Sequence, residues 1–142
     1  AAAPMKIMFD LTVLLDVVQR REPHFNASAS VCAMAVRKDI TGLIPAHAVT
    51  TIAYVVHRYA GARKKAEVLD WLLASFQVAP ANQEDMLRAR TYKLVDFEAA
   101  VVVSSAERNG CRLILSRNVA DFGRSPVVAM TPEEFLAGYP KV

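Results

Sequence analysis

A chain of 142 residues, 54% hydrophobic and 22% charged, carries enough apolar material for one domain with a real core, and its composition excludes a disordered polymer. Its formal charge of +3 is compatible with a nucleic-acid partner but does not establish one, because surplus Lys and Arg ordinarily form a solvated face. No apolar run approaches the roughly 18 residues of a membrane span, and no basic-then-apolar leader opens the chain.

Ala1-Ala2-Ala3-Pro4 before Met5 reads as a cloning scar, so a single domain is expected over residues 5–142. Lys6 to Phe9 predicts a short buried strand with Asp10 at its tip. Val13, Leu14, Val17 and Val18 then form a helical stripe, with Thr12 a possible N-cap and Glu22-Pro23 a break. A second helix is expected from Phe25 to about Arg37, stopped before Gly42. Leu43 to Ala46 reads as the second strand. The helix carrying Val49, Ile52, Ala53 and Val56 follows and ends at Gly61, and another runs from Arg63 to Ser75.

Phe76 to Ala79 predicts a third strand closed by Pro80. Asn82 caps a helix to about Tyr92, with Glu84 and Asp85 favourably placed in its first turn. Asp96 is a good N-cap for a helix from Phe97 to Asn109, stopped at Gly110. Arg112 to Ser116 and Val127 to Met130 are the fourth and fifth strands. Thr131-Pro132-Glu133-Glu134 opens a short last helix, with a cap hydroxyl, Pro at the first position and Glu three residues after the cap. Short apolar strands separated by helices predict an α/β domain with a mainly parallel sheet covered on both faces.

The acidic residues fall at strand tips and helix starts. Asp10 closes the first strand, where open parallel sheets place their binding crevice. Asp96 and Glu98 open one helix: Asp96 reads as a cap, and Glu98 more plausibly faces a pocket. Asp121 and Asn118 follow the fourth strand with Ser116, and each could be a ligand or a turn residue. Asp16 is read as an outer or exposed group. Carboxylates converging from separate loops are what Mg²⁺ or Mn²⁺ requires, and such an ion activates a water against a phosphodiester. His24, His47 and His57 show no ligand spacing and read as surface or polar-core residues. Ser104-Ser105 lacks elbow glycines, and no phosphate-binding glycine loop is present. Arg20-Arg21 and Arg63-Lys64-Lys65 could track an RNA backbone, but solvated helix surface is the default. Cys32 and Cys111, far apart in apolar contexts, read as buried thiols of a reducing cytoplasm.

In order and spacing, Met5-Lys6-Ile7-Met8-Phe9-Asp10 with Val13-Leu14-Leu15-Asp16, Arg21-Glu22-Pro23, Asp96-Phe97-Glu98, Ile114-Leu115-Ser116-Arg117-Asn118 with Asp121-Phe122, and Thr131-Pro132-Glu133-Glu134-Phe135-Leu136 together resemble the PIN-domain family, which includes the VapC-like toxin ribonucleases. The resemblance spans Met5 to Leu136. It implies a three-layer α/β/α domain, Mg²⁺- or Mn²⁺-dependent cleavage of single-stranded RNA, frequent homodimers and, for many members, a small inhibitory antitoxin. The first family aspartate carries over to Asp10 and the later acidic position to Asp121, with Asn118 beside it.

The chain departs from the family pattern in three places. Thr12 stands where the family often has Asn, no carboxylate occurs between Asp39 and Glu67, and Ala99 stands where an acid is expected after Phe97-Glu98. Ala99 is either native or a substitution that disarms a toxin. Two readings follow. One is a ribonuclease weakened by an incomplete acidic set, with Asp10, Asp121 and Glu98 as ligands or base and Asp96, Asn118, Thr12 and Ser116 in support. The other is a degenerate PIN domain that binds RNA or a protein without cleaving.

Overall fold

The computed structural model describes residues 3–138, so Ala1-Ala2 and the 139–142 end of the expected domain lie outside the described residues. Five strands form one sheet in the order β3-β2-β1-β4-β5: β1 Lys6–Phe9, β2 Thr41–Pro45, β3 Gln77–Ala79, β4 Leu113–Leu115 and β5 Ala129–Met130. All four pairings are parallel, with Met8 opposite both Leu43 and Ile114. The connecting helices are α1 Leu11–Val18, α2 Phe25–Val36, α3 Ala46–Ser75, α4 Gln83–Ala89, α5 Phe97–Arg108 and α6 Pro132–Gly138. The α/β/α architecture expected from the alternation of strands and helices is therefore present.

The sheet is covered on both faces at its centre, which explains the apolar runs Ile7-Met8-Phe9, Leu43-Ile44-Pro45 and Leu113–Leu115, while the polar residues Lys6, Thr41 and Gln77 stand at strand starts. Ile7, Phe9, Leu113 and Leu115 pack beneath α1, α2 and α3. Met8, Leu43 and Ile114 point the other way, against Ala99, Val102 and Val103 of α5. Cys32 and Cys111 are free and buried, and burial pushes their thiols up to about 12 and about 11. Both are protonated and poorly nucleophilic at neutral pH. Among the described residues, no helix is long and apolar enough to cross a membrane.

Several boundaries differ from expectation for local reasons. Asp10, not Thr12, takes the N-cap position of α1. Helix α2 ends at Val36 with Arg37 as its C-cap, close to the expected end, but its stop is a turn where Lys38 holds φ 65°, and Gly42 lies inside β2. The helices expected on either side of Gly61 run on as α3 with a break at that glycine, which sits at φ 87°, a conformation that glycine adopts without a Cβ penalty. The caps at Asn82, Asp96 and Thr131 form as anticipated.

Gly42 is required by a close approach. A Cβ there would stand 2.7 Å from Phe76 Cδ1 and 3.0 Å from the Cβ of Ala35. Phe76 is in turn held edge-on between Phe9 and Trp71, with ring centroids 5.0 and 5.8 Å away, so it cannot step aside. Gly42→Ala is expected to destabilise the fold by about 1–3 kcal/mol through overpacking. A urea melt with an unchanged midpoint would refute this.

Candidate active site

The topology fixes where a site can form. From β1 the chain winds outward to β2 and β3, then returns to place β4 on the other side of β1. The strand order therefore reverses between β1 and β4, and the helices after these two strands leave a crevice at their carboxyl ends. Asp10 follows β1 and Ser116 follows β4. The two segments are tied together, since the Asp10 amide donates to the Leu115 carbonyl at 2.9 Å.

Asp10 is 9% exposed. Its Oδ2 accepts the Ser116 hydroxyl at 2.8 Å and the Thr12 hydroxyl at 3.0 Å. Ser116 Oγ accepts the Asn118 amide at 3.0 Å, and Thr12 Oγ1 accepts the Arg117 amide at 3.0 Å. Thr12 thus braces the aspartate. Its hydroxyl is spent on that carboxylate and on the turn after β4, not on capping a helix.

A narrow cleft of about 60 Å³ opens at this point, walled by Asp10, Thr12, Asp96, Glu98, Ala99, Asn118 and Asp121. All the expected acidic and amide residues meet there, and Ser116 lies just behind them against Asp10. Asp96 also caps α5, its Oδ1 accepting the Glu98 amide at 3.0 Å, so its two readings are compatible. Asp121 and Asn118 are carried by the short 3₁₀ turn Val119–Phe122 and its first flanking residue. Ala99 is 5% exposed and sits on the wall between Glu98 and the core.

A family model for the PIN domain matches residues 6–120. The chain belongs to the PIN-domain family. Solved structures share the fold at low identity. A chain of VapBC-1 from nontypeable Haemophilus influenzae is 11% identical, with a TM-score of 0.69 over 91% of this chain and 99% of that one. A chain of VapBC2 from Rickettsia felis, bound to a promoter DNA fragment, is 12% identical, with a TM-score of 0.68 over 89% and 98%. Mycobacterium tuberculosis VapC20, described as a sarcin-ricin loop cleaving toxin, is 12% identical, with a TM-score of 0.61 over 96% and 98%. No curated protein matches the sequence.

In this PIN domain the cleft donors are carboxylate, amide and hydroxyl oxygens, the chemistry that hard divalent cations prefer. They line the cleft without closing on one point: among the described residues, no three His, Cys, Asp or Glu side chains form a group able to hold an ion. The donor types suit Mg²⁺ or Mn²⁺, but the convergence is incomplete, and Ala99 presents a methyl group to the cleft.

Two features escaped the sequence reading. His47, in the first turn of α3, brings its Nε2 to 3.4 Å from Glu98 Oε1 at the edge of the cleft. It lacks ligand spacing, but its place just past the carboxyl end of β2 was a usable signal. The second is the network around Asp16, for which the exposed alternative fails and the outer one stands. Asp16 is 2% exposed and its Oδ2 accepts Arg117 Nε at 2.7 Å and the Ser28 hydroxyl at 2.9 Å. Arg117 Nη1 donates to Glu133 Oε1 at 2.7 Å. Burial alone would pull the Arg117 guanidinium down, but its bonds to Glu133 and Asp16 outweigh this and hold it above its ordinary value. Burial pushes the Glu133 carboxyl up, and the Arg117 contact more than offsets it, leaving that carboxyl below its ordinary value.

Proposed function

We propose that this chain is a VapC-like toxin of the PIN family, a metal-dependent endoribonuclease whose activity is weakened by an incomplete acidic set. The observation that carries this reading is the meeting of Asp10, Asp96, Glu98, Asn118 and Asp121, from three separate segments, on one cleft at the switch point of the sheet. Asp10 and Asp121, with Glu98, would hold Mg²⁺ or Mn²⁺. When bound, such an ion would polarise a water and offset charge on the scissile phosphate. The chain itself supplies orientation: Thr12 and Ser116 fix Asp10, Asn118 sets the turn that carries Asp121, and Asp96 fixes the first turn of α5 so that Glu98 reaches the cleft edge. His47 Nε2 lies 3.4 Å from Glu98 Oε1 beside that edge.

The partners proposed are single-stranded RNA and a small antitoxin, within a cytoplasmic homodimer built from a single domain over residues 5–142. Support for the antitoxin comes from the fold shared with a chain of a toxin–antitoxin complex from Klebsiella pneumoniae. Support for RNA comes from the cleaving activity attributed to Mycobacterium tuberculosis VapC20.

A second reading, a degenerate PIN domain that binds RNA or protein without cleaving, is favoured by the lack of three converging ligands. Calorimetry with Mn²⁺ and cleavage of single-stranded RNA separate the two. The first reading expects Mn²⁺ binding, slow metal-dependent cleavage, and loss of both in Asp10→Ala. RNA binding with no Mn²⁺ uptake at millimolar metal would transfer the assignment to the second.

A further inference from the structure

Asp10 is aimed by two hydroxyls, and both hydroxyls are governed by the backbone of one short segment. Thr12 and Ser116 both donate to Oδ2, so among the described residues the side-chain hydrogen bonds of Asp10 use that oxygen alone. Each hydroxyl also accepts a backbone amide, from Arg117 onto Thr12 and from Asn118 onto Ser116. A hydroxyl whose lone pair is engaged in this way has its proton directed by the position of the donor. The direction of the Asp10 carboxylate therefore follows the path of residues 116–118.

The Arg117 side chain sets that path. Its guanidinium is a rigid fork with each nitrogen assigned: Nε to Asp16 on α1 at 2.7 Å, Nη1 to Glu133 on α6 at 2.7 Å and Nη2 to Ser28 on α2 at 3.1 Å. The Ser28 hydroxyl closes the ring by donating to Asp16. The Arg117 side chain is only 14% exposed and is not among the residues that wall the cleft. Engaged on two carboxylates, it does not serve as a phosphate ligand.

We propose that Arg117 is a positioning residue for Asp10: its guanidinium pins the 116–118 turn to α1, α2 and α6, and the pinned turn aims the Asp10 carboxylate through Thr12 and Ser116. The consequence for metal binding rests on the reading of the cleft given above. The consequence for the turn does not, so the two can fail separately.

The test uses two forms of the full chain beside the parent. Arg117→Lys keeps a charge for buried Asp16 and so protects the fold, but it cannot make the three-way fork. Asp16→Asn combined with Arg117→Met removes both charges and leaves no buried carboxylate stranded, since Glu133, which also loses Arg117, is half-exposed. Amide hydrogen exchange is read at Arg117 and Asn118 against Met8 and Phe9 in β1, and Mn²⁺ affinity is read by calorimetry. Exchange at the two turn amides is expected to rise by about tenfold in both forms with β1 unchanged, and Mn²⁺ affinity to fall about tenfold, the scale of lost outer partners at metal sites. Retained protection at both turn amides overturns the proposal, as does unchanged Mn²⁺ affinity where the parent binds the ion. A parent that binds no Mn²⁺ rejects the metal reading, and the exchange result then decides the role of Arg117.

Discussion

Replacing Ala99 with aspartate is expected to raise Mn²⁺ affinity by about tenfold or more and to bring metal-dependent RNA cleavage well above that of the parent chain. Ala99 already lies on the cleft wall beside Glu98 and faces the same space as Asp10 and Asp121. A carboxylate grown from its Cβ enters at the start of α5, where the helix dipole favours negative charge. Without metal it joins four carboxylates that already line the cleft, and their repulsion lowers the melting temperature. With metal the sign reverses. Mn²⁺ at a hundred times its dissociation constant adds about 2.7 kcal/mol of stability to a one-site protein. The pattern to look for in Ala99→Asp is thus a lower melting temperature in chelator and a large rise with Mn²⁺, both absent from Ala99→Asn. If Ala99→Asp melts at one temperature with and without the ion and cleaves nothing, the cleft is not a metal centre, and the protein is a binding module on a PIN scaffold.

The fold was legible because its signals are local. Apolar strands of a few residues, capping residues at Asn82, Asp96 and Thr131, and breaks at Gly61 and Pro80 each act within a turn or two of chain, and each reappears in the structure. The inner place of Gly42 was not, and the fifth strand, expected over Val127 to Met130, is shorter than its apolar run, because both depend on neighbours far away in sequence: β5 extends only where it pairs with β4, and Gly42 is demanded by Phe76. The site shows the same division. Asp10 was identifiable as a strand-tip acid, and Glu98 as the acid left over once Asp96 had capped α5. Thr12 and Ser116 were identifiable as supporting residues, but the carboxylate oxygen they share was not, since Ser116 reaches Asp10 across 106 positions of chain. Nor was Arg117, whose partners lie on three helices that only the folded sheet brings together. Asp85 was legible as a first-turn acid and Asp16 as an outer or exposed one, but not the burial of both or their partners Arg108 and Arg117, which come from other elements.

Asp85→Ala is expected to cost about 3 kcal/mol, roughly 10 °C in melting temperature for a domain of this size, without altering the cleft. Asp85 is 0% exposed. It completes a capping box at the start of α4, accepting the Asn82 amide at 2.9 Å and donating its own amide to Asn82 Oδ1 at 3.1 Å. Its two oxygens also take Arg108 Nε and Nη2, each at 2.8 Å, a bidentate pair that fastens α4 to the last turn of α5. The loss is therefore a cap and two charge-assisted hydrogen bonds together. The Arg108 hydrogen bonds lower the Asp85 pKa from its ordinary 3.8, outweighing burial, which acts in the opposite direction. A depressed carboxylate pKa stabilises the fold fully above its unfolded value, and that contribution disappears as pH falls through the folded value. The gap in melting temperature between parent and Asp85→Ala should be widest at neutral pH and should narrow only below about pH 4. A gap of constant size from pH 7 to pH 2 would mean that the carboxylate charge plays no part. Because this contact lies at the opposite end of α5 from Glu98 and Ala99, Mn²⁺ affinity at neutral pH should be the same in both proteins, which distinguishes damage to the scaffold from damage to the site.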